Sequence, residues 1–161
     1  MSREVHVLSM GDEHRPWLAE LLAREWGSPR IISRGKMHDA LNLPGFVAMA
    51  AGAPVGVITY ELAHGEAEIV TLNSRSEKQG VGTALVNAVQ EAAISAGCRR
   101  LWLVTTNDNT DALGFYQRRG FRVVAIHKDA VTAARRQKPE IPMTGAHGIP
   151  IRDELELEMR L

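Results

Sequence analysis

The segment between residues 66 and 126 constrains the fold most, because strand patterns and helical patterns alternate along it. Over residues 82–96 the apolar positions recur every three or four residues, which predicts one apolar helical face, and Gly97 predicts the end of that helix. The predicted order is a strand at 66–72, a helix at 82–96, a strand at 100–105, a helix at 109–119 and a strand at 121–126. Such an alternation predicts an α/β fold with a mixed sheet and helices packed on its faces, rather than a bundle or a sandwich.

Two further helices are predicted upstream. Residues 5–8 form the first predicted strand, and Asp12 is expected to cap a helix. The apolar face of that helix comprises Trp17, Leu21, Leu22 and Trp26. A second helix is predicted over residues 33–42, where Met37 and Leu41 have helical spacing and Leu-Pro-Gly follows. The tryptophans expected to fill the core are Trp17, Trp26 and Trp102.

The stretch over residues 40–60 carries no charge and is long enough to raise the question of a membrane span. Its helix-breaking residues are Pro44, Gly45, Gly52, Pro54 and Gly56. Repeated interruption of this kind excludes a spanning helix and favours a hairpin of two strands, at 46–50 and 55–60. His64-Gly65 then predicts a second turn, into the strand at 66–72.

The C-terminal part of the sequence is less regular. Residues 127–150 have poor periodicity and one candidate short helix at 130–137, whereas residues 155–161 alternate strictly and predict a closing strand with one solvent-facing side. The tail also carries a group of polar residues, namely His127, His147, Arg152, Asp153 and Glu154. These residues form either part of an acceptor site or an exposed connection that ends in a solvated charge run.

Composition favours a single domain over residues 1–161. A chain of 161 residues with 45% hydrophobic residues can bury a core without covalent support. The lone Cys98 and the lack of metal-ligand spacing predict no disulfide and no metal, and an N-terminus unlike a signal peptide favours a cytoplasmic protein. The histidines expected at surface or capping positions are His6, His14, His38 and His64.

Charge gives an expectation about partners. Nineteen Lys plus Arg balance nineteen Asp plus Glu, so the chain has no general attraction for phosphate backbones or anionic membranes. We therefore expect neither nucleic acid nor a membrane as a partner. We expect the chain to be a monomer or a homodimer.

A turn with two glycines precedes the predicted helix at 82–96. Gly80 and Gly82 leave no side chain where a ligand could approach the backbone, and the free amides at a helix N-terminus attract anions. Ser76 and Gln79 could instead form a capping box that only starts the helix. The Walker pattern fails because no Gly-Lys-Ser/Thr follows, and the dinucleotide fingerprint fails because Leu85 occupies the place of its third glycine.

A second block at the right distance makes the pattern specific. It runs from Asn109 through Ala112 and Tyr116 to Gly120-Phe121. Together the two blocks resemble the GNAT superfamily of acetyl-CoA-dependent N-acetyltransferases, with its Arg/Gln-x-x-Gly-x-Gly/Ala and Asn-x-x-Ala-x-x-x-Tyr-x-x-x-Gly-Phe motifs. The resemblance covers residues 66–121 and implies a mixed, mostly antiparallel central sheet of about six or seven strands with helices on both faces.

The resemblance also implies where coenzyme A is held. The residues whose backbone would hold the pyrophosphate are Gln79, Gly80, Val81, Gly82, Thr83 and Ala84. Leu72 is placed near a splay between two parallel strands, where its N–H bonds the pantetheine or polarises the thioester carbonyl. Asn109 contacts the coenzyme, caps the following helix, or does both. Glu77 departs from the family pattern, which has Arg or Gln there, and Arg75 and Lys78 could offset its charge.

Two side chains are candidates for acid–base catalysis. By resemblance, Tyr116 lies near the coenzyme sulfur and protonates the leaving thiolate, the alternative being an ordinary packed tyrosine. Glu68 is the first candidate for the base that deprotonates the amine; the alternative is a solvated side chain, and Glu61 is the reserve. The residues predicted to share a strand face with Glu68 are Glu66, Val70 and Leu72.

The expected function is direct transfer of the acetyl group of acetyl-CoA to a primary amine on a small molecule or a peptide. The alternative is a catalytically weak CoA-binding regulatory module of the same fold. A nicotinamide-dinucleotide binder that uses the glycine turn is a further rival. No motif in the sequence selects the acceptor.

Overall fold

The computed structural model describes residues 4–75 and 80–161. All five elements predicted between residues 66 and 126 are present. In chain order the elements are β1 (Val5–Ser9), α1 (Arg15–Trp26), β2 (Arg30–Ser33), β3 (Lys36–Asp39), β4 (Gly45–Ala50), β5 (Ala53–Ala63), β6 (Glu66–Ser74), α2 (Val81–Ser95), β7 (Arg100–Thr106), α3 (Thr110–Arg118), β8 (Arg122–His127), α4 (Ala130–Ala134) and β9 (Glu154–Arg160). The predicted capping box at Ser76 and Gln79 lies outside the described residues.

Seven strands form one sheet in the order β1-β4-β5-β6-β7-β9-β8, and β2 and β3 form a separate hairpin. Neighbouring strands of the large sheet are antiparallel except for β6 and β7, which are parallel and joined by a crossover through α2. The expected fold class, a mixed and mostly antiparallel sheet, is confirmed.

Helices cover both faces of the sheet, as expected. The core on the side of α2 and α3 includes Val81, Leu85, Val89, Leu101 and Tyr116. The core on the side of α1 includes Leu18, Leu22, Ile31 and Val57. Gly56 allows α2 to approach β5 closely, because a Cβ at this position would lie 2.7 Å from Val81 Cγ1.

The uncharged stretch forms the predicted hairpin. β4 and β5 pair antiparallel, with Val47 opposite Val57, and the turn places Ala51 and Gly52 at φ values of 51° and 78°. Among the helices in residues 4–75 and 80–161, none is long and apolar enough to cross a bilayer.

The predicted helix over residues 33–42 is wrong. This segment contributes to the hairpin of β2 and β3 and then forms a short 3-10 turn at Ala40–Asn42. The decisive local feature is the turn between the strands, where Arg34 and Gly35 adopt φ values of 48° and 78° that interrupt a helix. The spacing of Met37 and Leu41 therefore reflects an exposed strand residue and a residue of the following turn.

The first helix begins and packs differently from the prediction. Asp12 opens a 3-10 turn at Asp12–His14, and α1 starts three residues later with a proline in its first turn. Its buried residues are Leu18, Leu21 and Leu22. Trp26 is 39% exposed and does not fill the core.

The closing strand is neither an edge nor solvent-facing on one side. β9 lies between β7 and β8, so β8 forms that edge of the sheet. Glu156, whose side chain was expected in water, is buried, and Glu154, for which a solvated charge run was one of two alternatives, is buried as well. The predicted helix at 130–137 is present as the shorter α4.

Candidate active site

The parallel strands β6 and β7 separate part-way along their length. Their pairing runs from Glu66 opposite Arg100 to Glu68 opposite Trp102. Beyond Glu68, β6 continues to Ser74 and β7 continues to Thr106. The facing backbone groups on this stretch lack each other as partners, so the gap is the splay that the sequence resemblance implied.

A cavity of about 600 Å³ occupies this gap. The predicted site residues that line it are Leu72, Gly80, Gly82, Thr83, Asn109 and Tyr116. Val81 is completely buried in the core. Glu68 and Ala84 are not among the described residues that line the cavity. Gln79 lies outside the described residues.

Residues from both faces of the sheet line the cavity. Ile69 and Leu103 line it and belong to the core on the side of α2. Val70 packs on the side of α1, and Trp26 at the end of α1 also lines the cavity. The cavity therefore extends from the first turn of α2 to the side of the sheet that α1 covers.

A β-bulge in β6 produces this arrangement. Thr59 pairs with Thr71 and Tyr60 pairs with Ile69, so Val70 is the extra residue. Leu72 packs with the core on the side of α2, whereas Val70 packs with the core on the side of α1. The predicted face shared by Glu68, Val70 and Leu72 is therefore wrong for Leu72, because the bulge changes the alternation.

The two glycines at the start of α2 have different roles. Gly80 is the N-cap of the helix, with φ 68°, and a Cβ there would meet no atom within 4 Å. A glycine is favoured at this position because of the left-handed backbone conformation and not because of limited space. A Cβ on Gly82 would lie 3.0 Å from Phe115 Cζ. Gly82 therefore allows α3 to pack against the first turn of α2.

Arg119 places a cation beside this first turn, which the sequence analysis missed. Its Nε donates to Thr83 Oγ1 at 2.7 Å and its Nη1 donates to Phe115 O at 2.7 Å. The guanidinium lies 3.6 Å from the centre of the Phe115 ring. Desolvation lowers the pKa of Arg119. The available signal was the basic residue directly before Gly120-Phe121 in the second motif.

Tyr116 and Asn109 fix the other wall of the cavity. The Tyr116 ring contacts Phe115 and Phe121 edge-on, with centroid distances of 5.1 and 5.3 Å. Burial raises the pKa of Tyr116, so its hydroxyl keeps its proton at neutral pH. Asn109 caps α3, accepting a hydrogen bond from Ala112 N–H at 3.2 Å. Its capping role is thus established, and its position in the cavity lining leaves a ligand contact open.

Glu68 belongs to a buried polar cluster on the side of α1. Only 6% of its surface is exposed, so the alternative of a solvated side chain is wrong. Ser33 Oγ donates to Glu68 Oε2 at 2.6 Å and lies 2.8 Å from His38 Nε2. His38 Nδ1 lies 3.0 Å from Glu61 Oε2. The expected surface position of His38 is wrong, since the second strand of the hairpin buries it.

The cluster shifts the protonation of both of its buried members. Desolvation, with a smaller contribution from the charge of Glu61, raises the pKa of Glu68 to about 7, although the Ser33 hydrogen bond opposes it. Burial lowers the pKa of His38, and the carboxylate of Glu61 opposes that change. A carboxyl with a pKa near neutrality is suited to accept and release protons during turnover.

His38, Glu61 and Glu68 are close enough to be considered as metal ligands, since one ligand atom of each lies within 4.8 Å of the others. Their hydrogen bonds describe a different arrangement. The two nitrogens of His38 face different carboxylates, whereas metal ligands direct their donor atoms at one point. The geometry is that of a hydrogen-bonded chain.

The tail residues are divided by the fold. Glu154 accepts from Arg34 N–H at 3.2 Å, and His127 Nε2 lies 2.9 Å from Glu156 Oε1. The first contact holds the β2–β3 turn against β9, and the second joins the end of β8 to β9. His147 lies in an exposed turn with φ 59°. The tail therefore supports the polar cluster through its buried glutamates.

A known protein family matches the part of the chain that contains both motifs. The profile of the acetyltransferase (GNAT) family matches residues 10–121, well over half of the chain. The chain belongs to the GNAT acetyltransferase family. It is therefore an acyltransferase of the N-acetyltransferase class.

This GNAT acetyltransferase is similar to bacterial proteins in sequence and in fold. YdhI of Bacillus subtilis (strain 168) is 42% identical over 139 residues, which are 86% of this chain and 87% of YdhI. The IAA acetyltransferase from Bacillus cereus ATCC 14579 has a TM-score of 0.77 at 24% identity, covering 98% of this chain and 100% of that chain. A GNAT family acetyltransferase from Elizabethkingia anophelis, with acetyl-CoA bound, has a TM-score of 0.69 at 19% identity and 98% coverage of both chains. These two structures establish the shared fold.

Proposed function

We propose that this GNAT acetyltransferase binds acetyl-CoA in the splay cavity and transfers the acetyl group directly to a primary amine. The observation that carries the proposal is a single cavity that reaches from the first turn of α2, through the gap between β6 and β7, to Trp26. The acetyl-CoA bound to the related Elizabethkingia anophelis protein supports the choice of ligand.

The N-terminus of α2 supplies an anion site for the coenzyme pyrophosphate. The first intrahelical hydrogen bond runs from Ala84 N–H to Gly80 O at 3.0 Å. The amides of Val81, Gly82 and Thr83 precede it and are the ones that a helix leaves for a ligand. The helix dipole adds roughly half a positive charge there. The predicted contact of Gln79 is kept as part of the proposal.

The gap between the strands suits the pantetheine arm. Leu72 lies on the part of β6 that has no β7 partner and lines the cavity, so backbone groups there can bond to the amides of the arm. Asn109 lines the cavity from the start of α3. Arg119, beside Thr83, adds a positive charge near the pyrophosphate position.

The proton balance of the reaction assigns roles to two side chains. Acetyl-CoA supplies the acetyl group as a thioester. An alkylammonium must lose one proton before its nitrogen can form the new C–N bond, and the nitrogen loses a second proton as the C–S bond breaks. Tyr116, which is protonated at neutral pH, donates its proton to the sulfur, and the second proton of the nitrogen restores the Tyr116 hydroxyl. Glu68 accepts the first proton.

Glu68 acts on the amine through water in this proposal. It does not line the cavity, but Val70 does, two residues further along β6. At about 3.3 Å per strand residue, this separation is about 7 Å, which one or two waters can bridge. Trp26, Val70 and Val104 give the amine side of the cavity an apolar lining. An alkylamine on a small molecule or peptide suits such a lining.

The remaining elements of the proposal concern the whole molecule. Residues 1–161 form one domain that acts as a monomer or a homodimer. The single cysteine of the chain favours a reducing, cytoplasmic location.

A two-part experiment tests the function. Calorimetry should show that the purified chain binds acetyl-CoA, and an amine panel read by mass spectrometry should show acetylated product together with free coenzyme A. Failure to bind acetyl-CoA would refute the proposed site. Binding without turnover across the panel would support the regulatory module instead. Tyr116→Phe serves as the matched variant, since it keeps the ring and removes the transferable proton.

A further inference from the structure

A chain of hydrogen-bonding groups leads from Glu68 to the surface. It passes through the hydroxyl of Ser33 and both ring nitrogens of His38 to Glu61, with successive distances of 2.6, 2.8 and 3.0 Å. The His38 side chain is 1% exposed and the Glu61 side chain is 28% exposed. The chain therefore connects the buried carboxyl to solvent on the side of Lys36, which donates to Glu61 at 2.8 Å.

The contacts determine where the protons lie. A proton must occupy the 3.0 Å contact between His38 Nδ1 and Glu61, because two lone pairs would otherwise face each other. Neutral His38 therefore carries its hydrogen on Nδ1. When Nε2 accepts from the Ser33 hydroxyl, the 2.6 Å contact between Ser33 Oγ and Glu68 Oε2 is reversed and the protonated Glu68 carboxyl is its donor, whereas Ser33 Oγ donates in that contact when Glu68 is a carboxylate.

The proton of the Glu68 carboxyl can therefore lie at either end of the Glu68–Ser33–His38 chain, and the number of hydrogen bonds is the same in both arrangements. In the first, Glu68 is neutral and His38 is neutral. In the second, the proton of Glu68 has moved to Ser33 Oγ while the proton of Ser33 has moved to His38 Nε2, which gives a Glu68 carboxylate and a His38 imidazolium. No bond other than O–H and N–H bonds changes, and the total charge is conserved.

We propose that Ser33, His38 and Glu61 form a proton relay that carries to solvent the proton Glu68 takes from the acceptor amine. This inference rests on the proposed function, in which an alkylammonium acceptor releases one net proton per turnover. The proton passes from Glu68 through Ser33 to His38 Nε2, His38 Nδ1–H passes its proton to Glu61, and Glu61 releases it to water. His38 is then the Nε2–H tautomer, and the relay is reset when Nε2 loses its proton to water, Nδ1 takes one from water and the Ser33 hydroxyl rotates back toward Nε2. The three relay residues act through Glu68 and do not touch the substrate.

The charges around the relay set its pH dependence. Glu61 on β5 and Lys36 on β3 face His38, the first favouring and the second opposing the imidazolium. Glu61, Lys36 and Glu154 on β9 face Glu68, and the two carboxylates favour its protonated form while Lys36 opposes it. Within the described residues no lysine or arginine makes an ion pair with Glu68, and the cation that forms beside it is His38, whose Nε2 lies 3.4 Å from Glu68 Oε1.

Nitrogen NMR on the unmodified protein tests the proton positions without reference to activity. Long-range proton–nitrogen spectra report the tautomer of each of the six histidines, and His38→Gln identifies the resonance of His38. We expect neutral His38 to be the Nδ1–H tautomer in wild type and in Glu68→Gln, because the contact of Nδ1 with Glu61 does not involve Glu68. An Nε2–H tautomer in the wild-type protein would overturn the relay.

Kinetics test whether the relay serves turnover. Above pH 9 a growing share of an alkylamine with a pKa of about 10.4 is already neutral, so Glu68 and the relay are needed less. We expect His38→Gln and Ser33→Ala to lower kcat about tenfold at pH 7 and less than about threefold at pH 9.5, with KM for acetyl-CoA unchanged. Ser33→Thr, which keeps the hydroxyl, should restore most of the rate.

A matched control separates the relay from packing. Thr59 and Thr71 form another buried hydroxyl pair in the same sheet, at 2.6 Å, and Thr59→Val removes it. This variant should leave the pH dependence of kcat unchanged. An equal loss in His38→Gln at pH 7 and pH 9.5 would overturn the relay alone. A wild-type chain that acetylates no amine would instead overturn the proposed function, whatever the tautomer.

Discussion

Replacing Glu68 by glutamine should make the protein more stable at alkaline pH while it removes the proposed base. The carboxyl is 6% exposed and accepts a hydrogen bond from Ser33. Glutamine has nearly the same shape and can occupy the same position without a charge. Comparing this variant with wild type therefore measures how much the ionisation of the buried Glu68 carboxyl lowers the free energy of unfolding.

The size and sign of the effect follow from the pKa. Burial raises the pKa of Glu68 from 4.5 to about 7, which at 1.36 kcal/mol per pKa unit corresponds to about 3 kcal/mol. Because the folded-state pKa is the higher one, the stabilisation is complete below pH 4.5 and is lost as the pH rises through 7. About 2.5 kcal/mol of the change falls between pH 5 and pH 8, since the unfolded carboxyl is already mostly ionised at pH 5.

Urea unfolding of both proteins at pH 5 and pH 8 measures this difference. The gain in unfolding free energy of Glu68→Gln over wild type should be larger at pH 8 than at pH 5 by about 2–3 kcal/mol. His38 is present in both proteins, so its own titration cancels to first order.

Glu66→Gln is the matched control on the same strand, with the opposite sign. The hydrogen bond from Arg100 holds the pKa of Glu66 below its usual value. Its contribution to stability is therefore present above the unfolded-state pKa and is lost as the pH falls through the folded-state pKa. Glu66→Gln should destabilise the protein at pH 8. A difference between Glu68→Gln and wild type that does not vary with pH would refute the raised pKa and, with it, the reason for choosing Glu68 as the base.

Three further substitutions probe the cavity. Tyr116→Phe should lower kcat about 100-fold at unchanged acetyl-CoA affinity, and equal turnover in steady-state assays would remove its acid role. Gly82→Leu should weaken acetyl-CoA binding in calorimetry, because a Cβ there already lies 3.0 Å from Phe115; unchanged affinity would show that the α2–α3 contact does not shape the site. Arg119→Met should weaken the same binding about tenfold through loss of a charge, whereas the exposed Arg122→Met should not; equal affinities would exclude Arg119 from the site.

The part of the fold around the coenzyme site could be predicted because its signals are local. The 3.6-residue periodicity of α2, its glycine start and the asparagine cap of α3 each depend on neighbours a few residues away in sequence. The two motifs also lie on consecutive elements. The alternation of strand and helix from β6 to β8 is present as predicted, whereas the position of β9 between β7 and β8 was not predicted.

The polar cluster could not be predicted, because tertiary contacts create it. Ser33 and His38 lie on a hairpin whose residues also fit a helical pattern, and the turn at Gly35 decides between the two. Glu68 comes to them from β6, 35 residues after Ser33. The bulge at Val70 depends on the pairing of β6 with β5, so the pattern of apolar and polar residues along β6 does not predict it.

The mistaken helix and the missed cluster have one physical origin. A helix over residues 33–42 would place Ser33 and His38 on different sides, since five residues turn a helix by about 500°, or 140° beyond a full turn. In the hairpin, Ser33 pairs with Lys36 across a tight turn. This turn brings Ser33 Oγ within 2.8 Å of His38 Nε2. The hairpin also covers Glu68 and excludes water from its side chain, which raises the pKa of the Glu68 carboxyl. The same hairpin supplies the groups that accept the proton of this carboxyl in the proposed relay. Variants that loosen the Arg34 contacts with β9 should therefore lower the pKa of Glu68 and the stability gain of Glu68→Gln together, because both depend on the same burial.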